Sequence, residues 1–283
     1  MESAPWKVLF SGETEVLIDV DGGICIDGKV SHPFPCQISH AAICDGGLVA
    51  TWVDHELRLA RMALLPLDQP IKDGVDKGTL RKNRDTTMVE GAIWCHSLEA
   101  EPLSLVAKGD LVIFALWQRG IYATKSDSTE IWRTGLPEIN ENLPKGFEEI
   151  CSINIVENIH VWTRGGSHLV LDKKSGDEIS SSVIEIEADL DNVYHFEDKF
   201  LLSSKDGWVY SVEGENILVA RHLRGCANHA AFDGADWRII CWRDDVILNG
   251  GLTTRENLGV QLIERGNQWM VLDNQGHETP HFD

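Results

Sequence analysis

A motif of two short apolar runs joined by a polar turn recurs along the chain and constrains the fold more than any other feature. The runs are rich in Val, Ile, Leu, Trp and Tyr, which is typical of β-strands. The turns carry Gly, Asp or Asn, the residues that tolerate the positive φ of tight hairpins. The sequence therefore predicts seven β-hairpins. The clearest copies are residues 48–60, 111–124, 159–172, 200–212 and 237–249, and weaker copies are 15–27 and 268–280.

Further apolar runs flank these hairpins. One run precedes most of them, and two of these preceding segments, ISHAAICDGG (38–47) and ANHAAFDGAD (227–236), match each other although they lie far apart in the chain. Candidate fourth strands follow the hairpins at residues 129–135, 178–185 and 216–223. The repeated unit is therefore predicted to hold four short strands.

The spacing of the units indicates the architecture. Matching positions in the seven copies are Asp19, Trp52, Trp117, Trp162, Ser204, Trp242 and Leu272. The intervals are 33, 65, 45, 42, 38 and 30 residues, around the length of a β-propeller blade in all cases but the second, and no persuasive helix lies between the strands. We therefore predict an all-β fold, a β-propeller of seven four-stranded blades in one domain (residues 1–283). Six blades stay an alternative, and the long interval after Trp52 predicts an insertion at about 66–91.

Two segments carry a resemblance to a known class of repeat. SKDGWVYSVEGE (204–215) and LVLDKKSGDEI (169–179) resemble the propeller repeats related to quinoprotein dehydrogenases, with their DG-x-V-Y-A-L-D pattern followed by T-G-K. The likeness to WD40 repeats is architectural, since no regular Gly-His or Trp-Asp dipeptides mark the blades. The resemblance implies a seven-bladed propeller and no particular activity. As in such propellers, we expect the N- and C-terminal strands to close the fold, with residues 6–31 beside 259–283.

Composition and charge exclude several functional classes. The 283 residues carry 45 acidic and 25 basic side chains, a formal net charge of −20. This charge disfavours nucleic acids and anionic membranes as partners and favours a monomer. No secretory signal or membrane-spanning run of 18 apolar residues is found in the sequence. The seven cysteines form no CxxC pair, which is typical of a reducing compartment, so we expect a cytoplasmic protein.

The histidines give the sequence its candidate metal site. His40, His195 and His229 fall in the predicted first strand of three blades, the strand that lines the central tunnel of a propeller. Imidazoles that converge on one axis bind divalent metals such as zinc, and Asn154, Asn192 and Asn228 could add oxygen ligands. Such a metal would be the one candidate cofactor. The favoured interpretation is that these histidines hydrogen-bond polar groups around the tunnel.

The tryptophans and the insertion are candidate contact surfaces. The recurrence of Trp52, Trp117, Trp162 and Trp242 at one position in the unit favours packing between blades over a ligand surface. The insertion contains few large hydrophobic residues and is expected to form a long loop or arm. Its four basic side chains stand out in an acidic chain and are the predicted partner-binding residues: Lys77, Arg81, Lys82 and Arg84.

No catalytic motif accompanies these features. The sequence lacks a P-loop, a dinucleotide-binding glycine motif and a GxSxG elbow. The favoured hypothesis is a non-catalytic propeller that presents one face and the basic loop to a protein partner. The alternatives are a metal-assisted lyase or hydrolase in the tunnel, and a carbohydrate or small-ligand binder. Exposure of Trp94 or Trp208 would favour the binder.

Overall fold

The fold was analysed in a computed structural model that describes residues 3–56, 58–75, 77–82, 89–136 and 148–282. Two compact units divide the chain. The first holds residues 1–136 with 174–176, and the second holds 137–173 with 177–283.

The first unit contains three antiparallel four-stranded sheets and a short helix. Their elements are β1 (Pro5–Ser11), β2 (Thr14–Asp19), β3 (Ile24–Ile26), β4 (Lys29–Ser31), β5 (Ile38–Cys44), β6 (Gly47–Asp54), β7 (Leu59–Leu65), α1 (Lys77–Lys82), β8 (Trp94–Leu98), β9 (Pro102–Lys108), β10 (Leu111–Leu116), β11 (Gly120–Lys125) and β12 (Glu130–Thr134). The sheets are β1–β4, β5–β8 and β9–β12, each with strands paired in chain order.

The second unit contains three four-stranded sheets and one three-stranded sheet. Their strands are β13 (Ile150–Ile155), β14 (Ile159–Thr163), β15 (Ser167–Leu171), β16 (Glu178–Val183), β17 (Leu190–Phe196), β18 (Lys199–Ser204), β19 (Trp208–Glu213), β20 (Asn216–His222), β21 (His229–Phe232), β22 (Trp237–Cys241), β23 (Asp244–Ile247), β24 (Leu252–Thr254), β25 (Gly259–Arg265), β26 (Gln268–Asp273) and β27 (Glu278–Pro280). All seven predicted hairpins are present, as are the three candidate fourth strands.

Burial depends on the place of a strand in its sheet. Most of the second strands are buried on both faces, as in β6, where six consecutive residues from Gly47 are buried. The fourth strands are mostly exposed, as in β20. A strand that contacts other sheets on both faces needs a continuous apolar run rather than an alternating one. This explains why the second strands gave the clearest signal in the sequence.

The core consists of layers between consecutive sheets. In the first unit, Ile18 of β2 packs in one apolar cluster with Trp52 and Leu48 of β6. In the second unit, a similar cluster joins Trp162 of β14 to Leu202 of β18. Every sheet therefore depends on its neighbour within the unit to cover its apolar face.

The insertion is less detached than the sequence suggested. Val89 is fully buried in the cluster around Trp52, and Ile71 and Val75 pack against that cluster. The hydroxyl of Ser31 donates a hydrogen bond of 3.0 Å to the carbonyl of Ile71. The insertion is therefore anchored on the first two sheets at both of its ends, by apolar residues too widely spaced to give a periodic signal.

Within the described residues, the last sheet has one strand fewer than the predicted four. β1 pairs with β2, and the last sheet, β25–β27, contains three strands from the C-terminal segment alone in the described residues. Each terminal segment thus forms a sheet of its own, because its hairpins are short enough to pair locally. None of the described helices is long and apolar enough to cross a membrane.

Deletion of residues 1–31 should make the protein insoluble. It removes the whole first sheet and would expose Ile38, Leu48 and Trp52, which are at most 2% exposed in the intact chain. The soluble yield and the thermal unfolding curve measure the effect. A matched control that begins at residue 3 keeps β1 and should behave as the full chain. A soluble 32–283 chain with an unchanged melting temperature would contradict this account of the core.

Candidate interaction site

The four recurring tryptophans do not share one environment. Trp52 lies within β6 and pairs with Arg61, and Trp162 lies within β14 and pairs with His168; both are buried. Trp117 and Trp242, in contrast, each follow the last residue of a strand and are 46% and 57% exposed. The prediction that all four pack between blades is therefore confirmed for Trp52 and Trp162 and wrong for the other two.

The difference has a simple geometric cause. Trp52 and Trp162 lie within second strands, whose two faces are both covered, whereas Trp117 and Trp242 lie in the turns that follow β10 and β22. Trp162 pairs with His168 inside its ladder, whereas the ladders before Trp117 and Trp242 end at Leu116 and Cys241. The four recurring tryptophans therefore do not occupy equivalent positions in their blades.

The turn at Trp242 has unusual backbone geometry. Cys241 pairs with Asp244, so Trp242 and Arg243 form a two-residue hairpin loop. Trp242 has a φ of 55°, in the left-handed region, where glycine is the favoured residue and a bulky side chain is an outlier. The Arg243 guanidinium carbon lies 5.6 Å from the centroid of the indole ring. The strained backbone therefore presents an aromatic ring and a guanidinium group side by side.

The segment that follows β24 supports this turn. The amide of Gly259 donates a hydrogen bond of 2.9 Å to the carbonyl of Trp242, and the amide of Arg255 donates one of 2.7 Å to the carbonyl of Arg243. Arg255 also forms a two-pronged ion pair with Asp245, which is 2% exposed. The turn is therefore rigid, so binding of a partner costs little conformational entropy at this site.

A second arginine completes the surface. Arg224 is 60% exposed, and its Nε lies 3.4 Å from Oδ2 of Asp244, the residue that follows Arg243. Asp244 itself is buried and accepts a hydrogen bond from Thr254. We call Arg224, Trp242 and Arg243 the Trp242 patch. The turn after β10 is a simpler version, with exposed Trp117 and Arg119.

The candidate metal ligands are engaged elsewhere. Nε2 of His40 lies 3.1 Å from the carbonyl of Pro102, and Nδ1 of His229 accepts a hydrogen bond of 3.4 Å from the amide of Leu262. His195 is exposed. Among the described residues, no three His, Cys, Asp or Glu side chains are grouped so that they could hold a metal ion. The metal-centre hypothesis therefore has no support in this part of the chain.

The first strands instead use polar side chains to bind the next sheet. Lys7 of β1 donates to the carbonyl of Ala41, Asn154 of β13 to Val193, Tyr194 of β17 to Ala227, and Asn228, just before β21, to Gly259. Each bond reaches the backbone of the following first strand or a residue within two positions of its start. The favoured interpretation of the histidines, hydrogen bonding around the first strands, agrees with the contacts of His40 and His229.

Other sequence candidates have mixed outcomes. Trp94 and Trp208 are half-buried; Trp94 donates to the carbonyl of Ser126, and the Trp208 ring contacts His222. The exposure that would favour a carbohydrate binder is therefore absent at both. In the insertion, Lys82 is exposed at the end of α1. Lys77 and Arg81 belong to the same helix, and Arg84 lies outside the described residues.

One buried histidine pair gave no signal in the sequence. Nδ1 of His160 lies 3.0 Å from Nε2 of His168, whose ring stacks on Trp162. Burial, with a smaller effect of His160, lowers the pKa of His168 to about 3, and burial also lowers the pKa of His160. Both rings are therefore neutral at pH 7, and their pairing could have been noticed only from the hairpin register that places strands β14 and β15 side by side.

Alanine substitutions should separate the two kinds of tryptophan. Trp52→Ala should lower the free energy of unfolding by about 3–5 kcal/mol because it empties a buried site. Trp117→Ala removes an exposed ring and should change it by less than about 0.5 kcal/mol. Urea unfolding measures both. Equal losses in the two variants would contradict the assigned environments.

The histidine pair should make the protein sensitive to moderate acid. The unfolded chain takes up a proton on His168 near pH 6.5, whereas the folded chain does so only near pH 3. Stability is therefore complete above about pH 6.5 and falls as the pH decreases toward 3. Between pH 7.5 and 5.0, His168→Gln should lose about 2 kcal/mol less unfolding free energy than the wild type. An identical pH dependence in both proteins would contradict the buried neutral state.

Comparison with known proteins gives matches in structure alone. No protein-family model and no curated relative matches the chain. BamB from Moraxella catarrhalis is 10% identical, with a TM-score of 0.60 over 95% of this chain and 94% of that one. The Cps50 (Swd1) β-propeller domain of Myceliophteria thermophila is 12% identical, with a TM-score of 0.65 over 98% and 95%. The WD40 β-propeller domain of Doa1 is 10% identical, with a TM-score of 0.61 over 97% and 91%.

These similarities show the fold. The seven sheets are the blades of a β-propeller, as the repeat spacing predicted, and the likeness to WD40 propellers holds at the level of architecture. At identities of 10–12%, the comparisons carry no information on activity.

Proposed function

We propose that the protein is a β-propeller interaction platform that binds a protein partner through the Trp242 patch. The observation that carries the proposal is Trp242 itself, which is 57% exposed at a positive φ where glycine would be less strained. Strained backbone and exposed aromatic rings both cost stability or solubility, so they are expected where function requires them. Propellers are commonly scaffolds for protein interactions, which supports this class of function.

The composition of the patch supports a protein partner. Tryptophan and arginine are the residues most enriched at the energetic centres of protein interfaces. The Trp242 patch supplies one tryptophan and two arginines on a rigid turn. In a chain with a net charge of −20, a local positive surface favours an acidic segment of the partner.

The basic residues of the insertion form a second part of the proposal. Lys77, Arg81, Lys82 and Arg84 would extend the contact with an acidic partner, as the sequence suggested. The anchored ends of the insertion, around Ile71 and Val89, must be kept in any test, because they belong to the core. All seven cysteines are free thiols, which supports a cytoplasmic setting for this interaction.

Trp242→Gly should abolish partner binding without unfolding the protein. Glycine relieves the positive φ but loses backbone entropy, so the unfolding free energy should stay within about 1 kcal/mol of the wild type. The test is affinity capture from lysate of the cells that express the chain, with quantitative mass spectrometry of the captured proteins. Proteins retained by the wild type should be lost with Trp242→Gly.

Leu218→Ala is the matched control. Leu218 is 58% exposed on β20, so its loss removes a comparable apolar surface at another place. Captured proteins should persist with this variant. A set of partners that survives Trp242→Gly, or that disappears equally with Leu218→Ala, would contradict the proposal. Replacement of Lys77, Arg81, Lys82 and Arg84 by Ser should weaken capture of the same partners if the insertion contributes.

A further inference from the structure

A cavity of about 660 Å³ opens in the first unit, on the side of the hairpin turns that follow β2 and β6. The turn after β2 contributes Asp21, and the turn after β6 contributes His55 and Glu56. The connection between the first two sheets and the start of β5 contribute residues 35–39. Trp6 of β1 lines it as well. The volume falls within the range of small-ligand sites.

The walls of this cavity are fixed before any ligand binds. Oδ1 of the buried Asp19 accepts hydrogen bonds from the amides of Asp21, at 3.0 Å, and Gly23, at 2.7 Å. Gly22 has a φ of 87°, and a Cβ at this position would lie 2.7 Å from the carbonyl oxygen of Cys36. The turn therefore packs directly against the connection, and only glycine fits at this point.

The lining combines an aromatic ring with carboxylates and neutral polar groups. Asp21, Asp54 and Glu56 supply three carboxylates, and Gln37 and Ser39 supply an amide and a hydroxyl. None of the described residues that line the cavity is a lysine or an arginine. The ligand that this lining favours is positively charged and carries hydrogen-bond donors.

The Trp6 ring adds a second attraction for such a group. The Lys7 ammonium already lies 5.8 Å from the centroid of this ring, and it donates to the carbonyl of Ala41. Burial lowers the pKa of Lys7. Three carboxylates in the lining outnumber this one amine, so the local field still favours a cation beside the indole.

We propose that this cavity binds an organic cation, an ammonium or guanidinium group, between Trp6 and the carboxylates of Asp21, Asp54 and Glu56. The group could belong to a free amine or to a Lys or Arg side chain, since both present the same chemistry. The site shares no residue with the Trp242 patch and does not depend on it.

The test is isothermal titration of the full chain with three probes. Agmatine represents the free amine, acetyl-Gly-Arg-Gly-amide represents a protein side chain, and maltose is a neutral control that can also stack on an indole. Saturable binding of agmatine or of the peptide is the expected result, and the tighter of the two identifies the source. Saturable binding of maltose alone, or of no probe, would overturn the proposal.

Two sets of variants assign the binding to the cavity. Asp21→Asn with Glu56→Gln keeps the shapes of the side chains and should lower the affinity for the cation about tenfold. Trp6→Leu should have a similar effect. Glu185→Gln with Glu187→Gln changes the net charge by the same amount on exposed residues of the second unit and should leave affinity unchanged. Equal weakening by both double variants would place the effect in the general field of the protein and overturn the site.

Discussion

The structure depends on the burial of apolar second strands between neighbouring sheets within each unit. The second strand of a blade meets apolar side chains on either face, so Leu48, Val49 and Ala50 are all fully buried in succession. A single isolated sheet with such a strand would not be stable in water, because both of its faces would expose large apolar areas. One repeat therefore recurs in the sequence but is not stable without its neighbours. The surfaces that remain available for function are the turns and the outermost strands.

That constraint explains which features could be read from the sequence. Continuous apolar runs and glycine-containing turns are direct consequences of two-face burial and tight hairpins, so the hairpins, the fourth strands and the propeller class were all predictable. The register of each turn was not. Trp162 lies inside its strand and is buried, Trp242 lies in the turn beyond its strand and is exposed, and the sequence motif around both residues looks the same.

The polar residues of the first strands were harder to interpret. His40 and Asn154 stand at positions that suit a metal site as well as they suit hydrogen bonds to the next blade, and the contacts favour the hydrogen bonds. The packing of the insertion against the core could not be predicted from the sequence either. Its anchors, Ile71 and Val89, are isolated in a polar segment, and isolated apolar residues give no periodicity from which packing can be inferred. The cavity beside Trp6 is formed by segments of two sheets, so no local sequence motif predicts it.

The central claim is that the Trp242 patch is exposed in the free protein and covered by a partner. Hydroxyl-radical footprinting with mass spectrometry, on the free protein and on the complex recovered with it, tests this claim most directly. The account predicts rapid oxidation of Trp117 and Trp242 and protection of Trp52 and Trp162 in the free protein, with new protection of Trp242 in the complex. Protection of Trp242 in the free protein, or an unchanged rate in the complex, would contradict it.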